Sequence, residues 1–132
     1  MPAGDKIRVL IVDDVSETRE NVRKLLQFES DVDVVGVART GREAIQLSQD
    51  LNPDVVLMDI NMPDMDGYTL TAKIKSMPGF ARIPILAITA NVMRGDREKS
   101  LEAGCDGYIQ KPLDVDQLVN EIEKFLARSP NV

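Results

Sequence analysis

Asp13 and Asp14 directly follow an apolar run, Ile7-Arg8-Val9-Leu10-Ile11-Val12, and Asp59 follows another, Val55-Val56-Leu57-Met58. Thr89 ends a third run, Ile85-Leu86-Ala87-Ile88, and Lys111 comes directly after a fourth segment, Gly107-Tyr108-Ile109-Gln110. If the ends of these runs meet, three carboxylates share one small site. Two like charges about 4 Å apart repel by about 4 kcal/mol at an effective dielectric of about 20, so the cluster wants a cation. All-oxygen ligands favour a hard ion, Mg²⁺ or the similar Mn²⁺, which keeps several waters and accepts phosphate oxygens readily. A carboxylate beside such an ion, a lysine and a hydroxyl is set up for phosphoryl transfer. Asp59 attacks phosphorus and becomes an acyl phosphate, while the cation and Lys111 balance charge on the equatorial oxygens. No stretch resembles a nucleotide-binding loop, so the donor is expected to be something other than ATP itself.

Each of these residues also has a plainer reading. Asp13-Asp14 can simply open a helix, Asp59 can form a turn, and Thr89 or Lys111 alone means little. What gives them weight is the set of elements that must carry them. Short continuous apolar runs bounded by turn residues read as strands buried on both faces of a parallel sheet. Between them the period changes. Ser16 to Glu29 carries Val22, Leu25 and Leu26 at helical spacing, with Arg19, Glu20, Arg23 and Lys24 expected to face outward. Val32 to Ala38 reads as a second strand nearer the sheet edge. Thr40-Gly41-Arg42-Glu43 has capping-box form, and Ala44, Ile45, Leu47, Ser48 and Leu51 continue that helix until Asn52-Pro53 stops it. After the Asp59 strand, Met62-Pro63-Asp64-Met65-Asp66-Gly67 is a loop. A short third helix then begins at Gly67 or Tyr68 with Asp66 as its cap and runs to about Ser76. Pro84 can only start the next strand, because it lacks a ladder donor. A fourth helix, about Asn91 to Ala103, is thinly apolar and carries Gly95. The fifth, with Val115, Leu118, Val119, Ile122, Phe125 and Leu126, is the clearest amphipathic helix in the chain. Five strands alternating with five helices through short connections predict a doubly wound parallel sheet with right-handed crossovers. In such sheets ligands bind outside the carboxyl ends of the strands, where the acids lie.

Composition excludes several other chemistries. The 132 residues are of single-domain size, and no linker or repeat divides them. The chain has no histidine, which removes catalytic triads, histidine-ligated metals and phosphohistidine chemistry from it. Any histidine in the mechanism must come from a partner. Cys105 is the only cysteine, so no intrachain disulfide forms, which fits a reducing compartment. A net charge of −6 with no basic stripe disfavours direct nucleic acid binding. Neither a signal-peptide pattern nor an apolar run near the ~18 residues of a membrane span is present, so the chain reads as soluble and cytoplasmic.

The joint pattern resembles the receiver domains of two-component response regulators. The similarity runs from Arg8-Val9-Leu10-Ile11-Val12-Asp13-Asp14 through Met58-Asp59-Ile60-Asn61-Met62-Pro63-Asp64-Met65-Asp66-Gly67 and Ile88-Thr89-Ala90 to Lys111-Pro112-Leu113. The resemblance implies an α/β fold of (βα)5 type with flavodoxin-like strand order 2-1-3-4-5, and a single receiver domain over residues 1–132 with its core at about 7–127. It implies that Asp59 is the phosphoacceptor, that Asp13 and Asp14 hold Mg²⁺ with Asp14 the most direct, that Asp59 and the backbone carbonyl of Asn61 complete the protein's ligands to the ion, and that Lys111 contacts the phosphoryl group. Thr89 would turn its hydroxyl to the phosphoryl oxygen and Tyr108 would rotate inward, although ordinary core packing is the plainer reading of Tyr108. The face built by helix four, strand five and helix five would then change its partner preference. A sensor histidine kinase or histidine phosphotransferase is the expected donor, with an output partner that the sequence does not name. Phosphorylation-dependent dimerisation through the same face stays open.

Two other readings compete. A phosphohydrolase of the haloacid-dehalogenase type also uses a strand-end aspartate, but it needs a general acid two residues later, where this chain has Asn61. A flavodoxin shares the expected fold, but its cofactor phosphate would meet Asp13-Asp14. The expectation is therefore a signalling switch that catalyses only its own phosphorylation and slow dephosphorylation.

Overall fold

A computed structural model describes residues 7–27, 32–59, 67–80, 83–89, 107–110 and 118–122. Its elements in chain order are β1 (Ile7–Val12), α1 (Ser16–Gln27), β2 (Val32–Ala38), α2 (Gly41–Leu51), β3 (Val55–Asp59), α3 (Gly67–Ser76), β4 (Ile85–Thr89) and β5 (Gly107–Gln110), and residues 118–122 are helical. All strand pairs are parallel and the sheet order is β2-β1-β3-β4-β5, as expected. The expected fourth helix, 91–103, lies outside the described residues, as do the cap at Asp66 and most of the fifth helix.

Strand pleating sorts the apolar residues into two layers, because successive side chains point to opposite faces. Leu10, Val12, Val56, Met58, Ile85 and Ala87 pack with Ala44 of α2 and with Leu70 and Ile74 of α3. Val9, Ile11, Val55, Leu57, Leu86 and Ile88 pack with Val22 and Leu26 of α1 and with Leu118 and Ile122. Every residue of β3 is buried, which explains why that strand reads as an unbroken apolar run rather than an alternation.

The second strand breaks its own period. Its register with β1 slips between Val9↔Val34 and Leu10↔Gly36, leaving Val35 as an extra residue. Val32 and Val34 therefore belong to the α1 layer, whereas Ala38 belongs to the α2 layer. Gly36 sits where α2 comes closest: a Cβ there would lie 2.6 Å from Leu51 Cδ1 and 3.3 Å from Leu10 Cδ1.

Helix α2 shows how its ends were set. The Thr40 hydroxyl accepts from the Glu43 N–H at 3.1 Å, as its sequence predicts. The Glu43 carboxylate, however, accepts from the N–H of Arg39 at 2.8 Å, one residue before the cap, so the box closes one position early. At the other end Asn52 is left-handed, with φ 47 and ψ 63, and its N–H donates to the Ser48 carbonyl. At the same sheet edge the Arg8 N–H donates to Asp54 Oδ2 at 2.8 Å, the Asp54 N–H donates to the Arg8 carbonyl at 2.7 Å, and the Arg8 guanidinium donates to the Asn52 carbonyl at 3.2 Å.

Substitutions at two positions test these features by urea unfolding. Gly36→Val is expected to lose about 1–3 kcal/mol through overpacking against Leu51 and Leu10. Asn52→Val is expected to lose about 1–2 kcal/mol because a Cβ-branched residue resists the left-handed region, whereas Asn52→Gly should be near neutral.

Candidate functional site

Strands β2 and β3 lie on opposite sides of β1, so the winding of the chain reverses there; in open α/β sheets this is where the ligand crevice forms, outside the carboxyl ends of the strands, here β1 and β3. Val12 pairs with Met58, so the next residues, Asp13 and Asp59, stand side by side. They continue the series Val9, Ile11 and Val55, Leu57, and so lie on the α1 side of the sheet. One carboxylate oxygen from each of Asp13, Asp14 and Asp59 lies within 4.8 Å of the others. Asp13 and Asp59 are only 4% and 7% exposed, while Asp14 faces solvent.

The segment joining β1 to α1 is held from three directions. The Asp13 N–H donates to the Ala38 carbonyl of β2 at 3.0 Å. Asp13 Oδ1 accepts from the Val15 N–H at 2.9 Å, so Asp13 does help to open α1, as its plainer reading had it. The Asp13 carbonyl accepts from the Arg19 guanidinium at 2.9 Å. Arg19 is thus half-buried and turned back toward the loop, not outward with its polar neighbours. Sequence carried one sign of this. Arg19 is the fourth residue of α1, near the helix end where the macrodipole disfavours a cation, so its charge needs a specific acceptor.

Two other expected site residues are placed by strand register. Thr89 ends β4, one residue beyond Ile88, the register partner of Asp59, and pairs with Gln110 of β5. Tyr108 pairs with Ala87 on the same strand pair. Asn61 and Lys111 lie outside the described residues. Val15, which follows Asp14 in the chain, is 47% exposed, the one large apolar side chain so exposed among the described residues.

The donor chemistry fits a hard divalent cation. Two nearly buried carboxylates and one exposed one supply oxygen ligands and negative charge, and leave a solvent side where waters or phosphate oxygens complete the shell. Nitrogen- or thiolate-preferring metals find no histidine in the chain, and the cluster contains no sulfur.

Comparisons with known proteins point the same way. The response regulator receiver domain family model matches residues 9–123. The chain is 38% identical over 88 residues to the polar-differentiation response regulator DivK of Brucella ovis, a match covering 67% of this chain and 72% of that one. It is 39% identical over 137 residues to a protein-glutamate methylesterase/protein-glutamine glutaminase of Carboxydothermus hydrogenoformans, covering 96% of this chain but only 38% of that protein's length. Among solved structures, the receiver domain of a sensor histidine kinase from Pseudomonas aeruginosa PAO1 superposes with a TM-score of 0.83 at 29% identity, covering 92% of this chain and 98% of that one. That structure has a magnesium ion coordinated in its active site cleft.

A cation that binds the folded chain must stabilise it. At a tenfold excess of Mg²⁺ over its Kd, the expected gain is roughly 1.4 kcal/mol, read as a rise in thermal midpoint at matched ionic strength. Asp13→Asn, which keeps an oxygen for the Val15 N–H, should lose most of that rise.

Proposed function

Because the chain belongs to the response regulator receiver domain family, whose general function is phosphorylation-dependent switching in two-component systems, we propose that Asp59 is its phosphoacceptor. The observation that supports this reading most is the meeting of Asp13, Asp14 and Asp59 within 4.8 Å at the strand ends. In the proposed step a carboxylate oxygen of Asp59 forms a bond to phosphorus of a phosphohistidine on a sensor histidine kinase or histidine phosphotransferase. The P–N bond breaks, and its electron pair stays with the imidazole nitrogen of the donor. The product is an acyl phosphate, which returns to carboxylate when water attacks phosphorus and inorganic phosphate leaves.

Asp13, Asp14 and Asp59, with the backbone carbonyl of Asn61, are the proposed ligands for Mg²⁺ or Mn²⁺. When bound, the ion supplies positive charge against the phosphoryl oxygens. Lys111 supplies a second positive charge. Thr89 then engages the phosphoryl group through its hydroxyl and Tyr108 turns inward, so that the face of helix four, strand five and helix five changes its affinity for an output partner or for a second copy of the chain. Residues 1–132 act as a single receiver domain in the cytoplasm. They catalyse only their own phosphorylation and slow dephosphorylation. The esterase and glutaminase activities named for one relative belong to a protein of which the match spans 38%, and they are not carried over.

Incubation with acetyl phosphate and Mg²⁺ should add one phosphoryl group, detected by intact-mass measurement, and Asp59→Asn should abolish it. Undiminished labelling of that variant would remove Asp59 from the role. Beryllofluoride with Mg²⁺ should shift the amide resonances of Thr89 and Tyr108 in the unsubstituted protein only.

A further inference from the structure

We infer that Arg19 is a positioning residue for the cation site, one that fixes the Asp13 peptide and thereby keeps the three carboxylates together; this rests on the functional reading above. Residues 13–15 lie between β1 and α1 and belong to neither ladder nor helix. Their conformation therefore depends on individual hydrogen bonds. Asp13 has its N–H on Ala38 of β2, its Oδ1 on the Val15 N–H, and its carbonyl on the Arg19 guanidinium at 2.9 Å. The first two bonds fix the entry to the loop and one carboxylate oxygen. The third ties the peptide leaving Asp13 to the first turn of α1, where the Arg19 N–H also donates to the Val15 carbonyl at 3.1 Å.

That peptide sets where Asp14 goes. Asp14 is exposed and receives no restraint from burial, yet its carboxylate stands within 4.8 Å of the other two despite their repulsion. Releasing the Asp13 carbonyl would let the loop turn Asp14 away from Asp13 and Asp59, because like charges separate when the backbone permits it. A hydrogen bond from a guanidinium is stronger than one between neutral groups, and a half-buried one resists competition from water.

Two other roles for Arg19 make opposite or null forecasts for cation affinity. A purely electrostatic guanidinium repels an incoming cation, so its removal would tighten binding. A purely structural latch between α1 and β1 would change stability and leave affinity alone. A positioning role weakens binding on removal.

The test is Mg²⁺ titration by calorimetry at fixed ionic strength, with thermal unfolding measured in chelator on the same samples. Arg19→Met, which keeps the apolar stem, is expected to weaken Mg²⁺ binding roughly 10-fold, at the low end for groups one layer beyond a metal's ligands. Arg19→Lys, which keeps a charged donor of similar reach, should stay within about threefold of the unsubstituted protein. Unchanged or tighter binding by Arg19→Met overturns the inference, as does an Arg19→Lys variant that binds no better than Arg19→Met. If the unsubstituted protein itself fails to bind Mg²⁺, the functional reading falls and takes this inference with it. Loss confined to Arg19→Met, with Arg19→Lys close to the unsubstituted protein, supports both.

Discussion

Three negative charges held within 4.8 Å of one another are the constraint around which this chain is built. At that separation each pair repels by about 3–4 kcal/mol at an effective dielectric of about 20, and two of the three groups are nearly buried. Such a cluster survives only on a frame that cannot give way. The frame is β1 and β3, where Val9, Leu10, Val12 and all four apolar residues of β3 are fully buried. Each buried aliphatic side chain contributes about 1.5–3 kcal/mol, so a few of these residues offset the repulsion at the strand ends. The cluster is thus an unfavourable arrangement stabilised by its surroundings, which is also what makes it receptive to positive charge.

Placement follows from two regularities of the sheet. Parallel pairing brings the carboxyl ends of β1 and β3 to the same edge, and the pleat decides which face each residue takes. Asp13 and Asp59 have the same parity as the residues beneath them on the α1 side, so both arrive at the same side of the crevice. Asp14, of opposite parity, belongs to a segment that has left the strand, and there hydrogen bonds must do what the sheet no longer does.

Much of this could be read directly from residue order. Val55 to Met58 announces a doubly buried strand, Thr40 and Glu43 mark the start of α2, and the strand order 2-1-3-4-5 follows the receiver pattern. The acidic cluster was legible because its members are strand-terminal, so knowing the strands was enough to predict the meeting. Two features were not legible, for different reasons. The slip in β2 is hidden because a valine-rich run looks the same whichever face each valine takes, and only pairing with β1 shows that Val35 is surplus. Helical spacing puts Arg19 with the outward-facing charges because it gives only the direction of a side chain's Cβ, whereas a guanidinium reaches several ångströms further to a backbone acceptor. A charge in an unfavourable place along the helix is the cue that periodicity alone overlooks.

The pairing of Arg8 with Asp54 and Asn52 at the opposite edge bears on how force travels through the sheet. Three hydrogen bonds couple β1 to the segment entering β3 there, so the two strands cannot slide past each other without breaking all of them. The sheet behaves as a beam clamped at one end. Sliding β1 against β3 would therefore cost these three bonds in addition to the ladder between the strands.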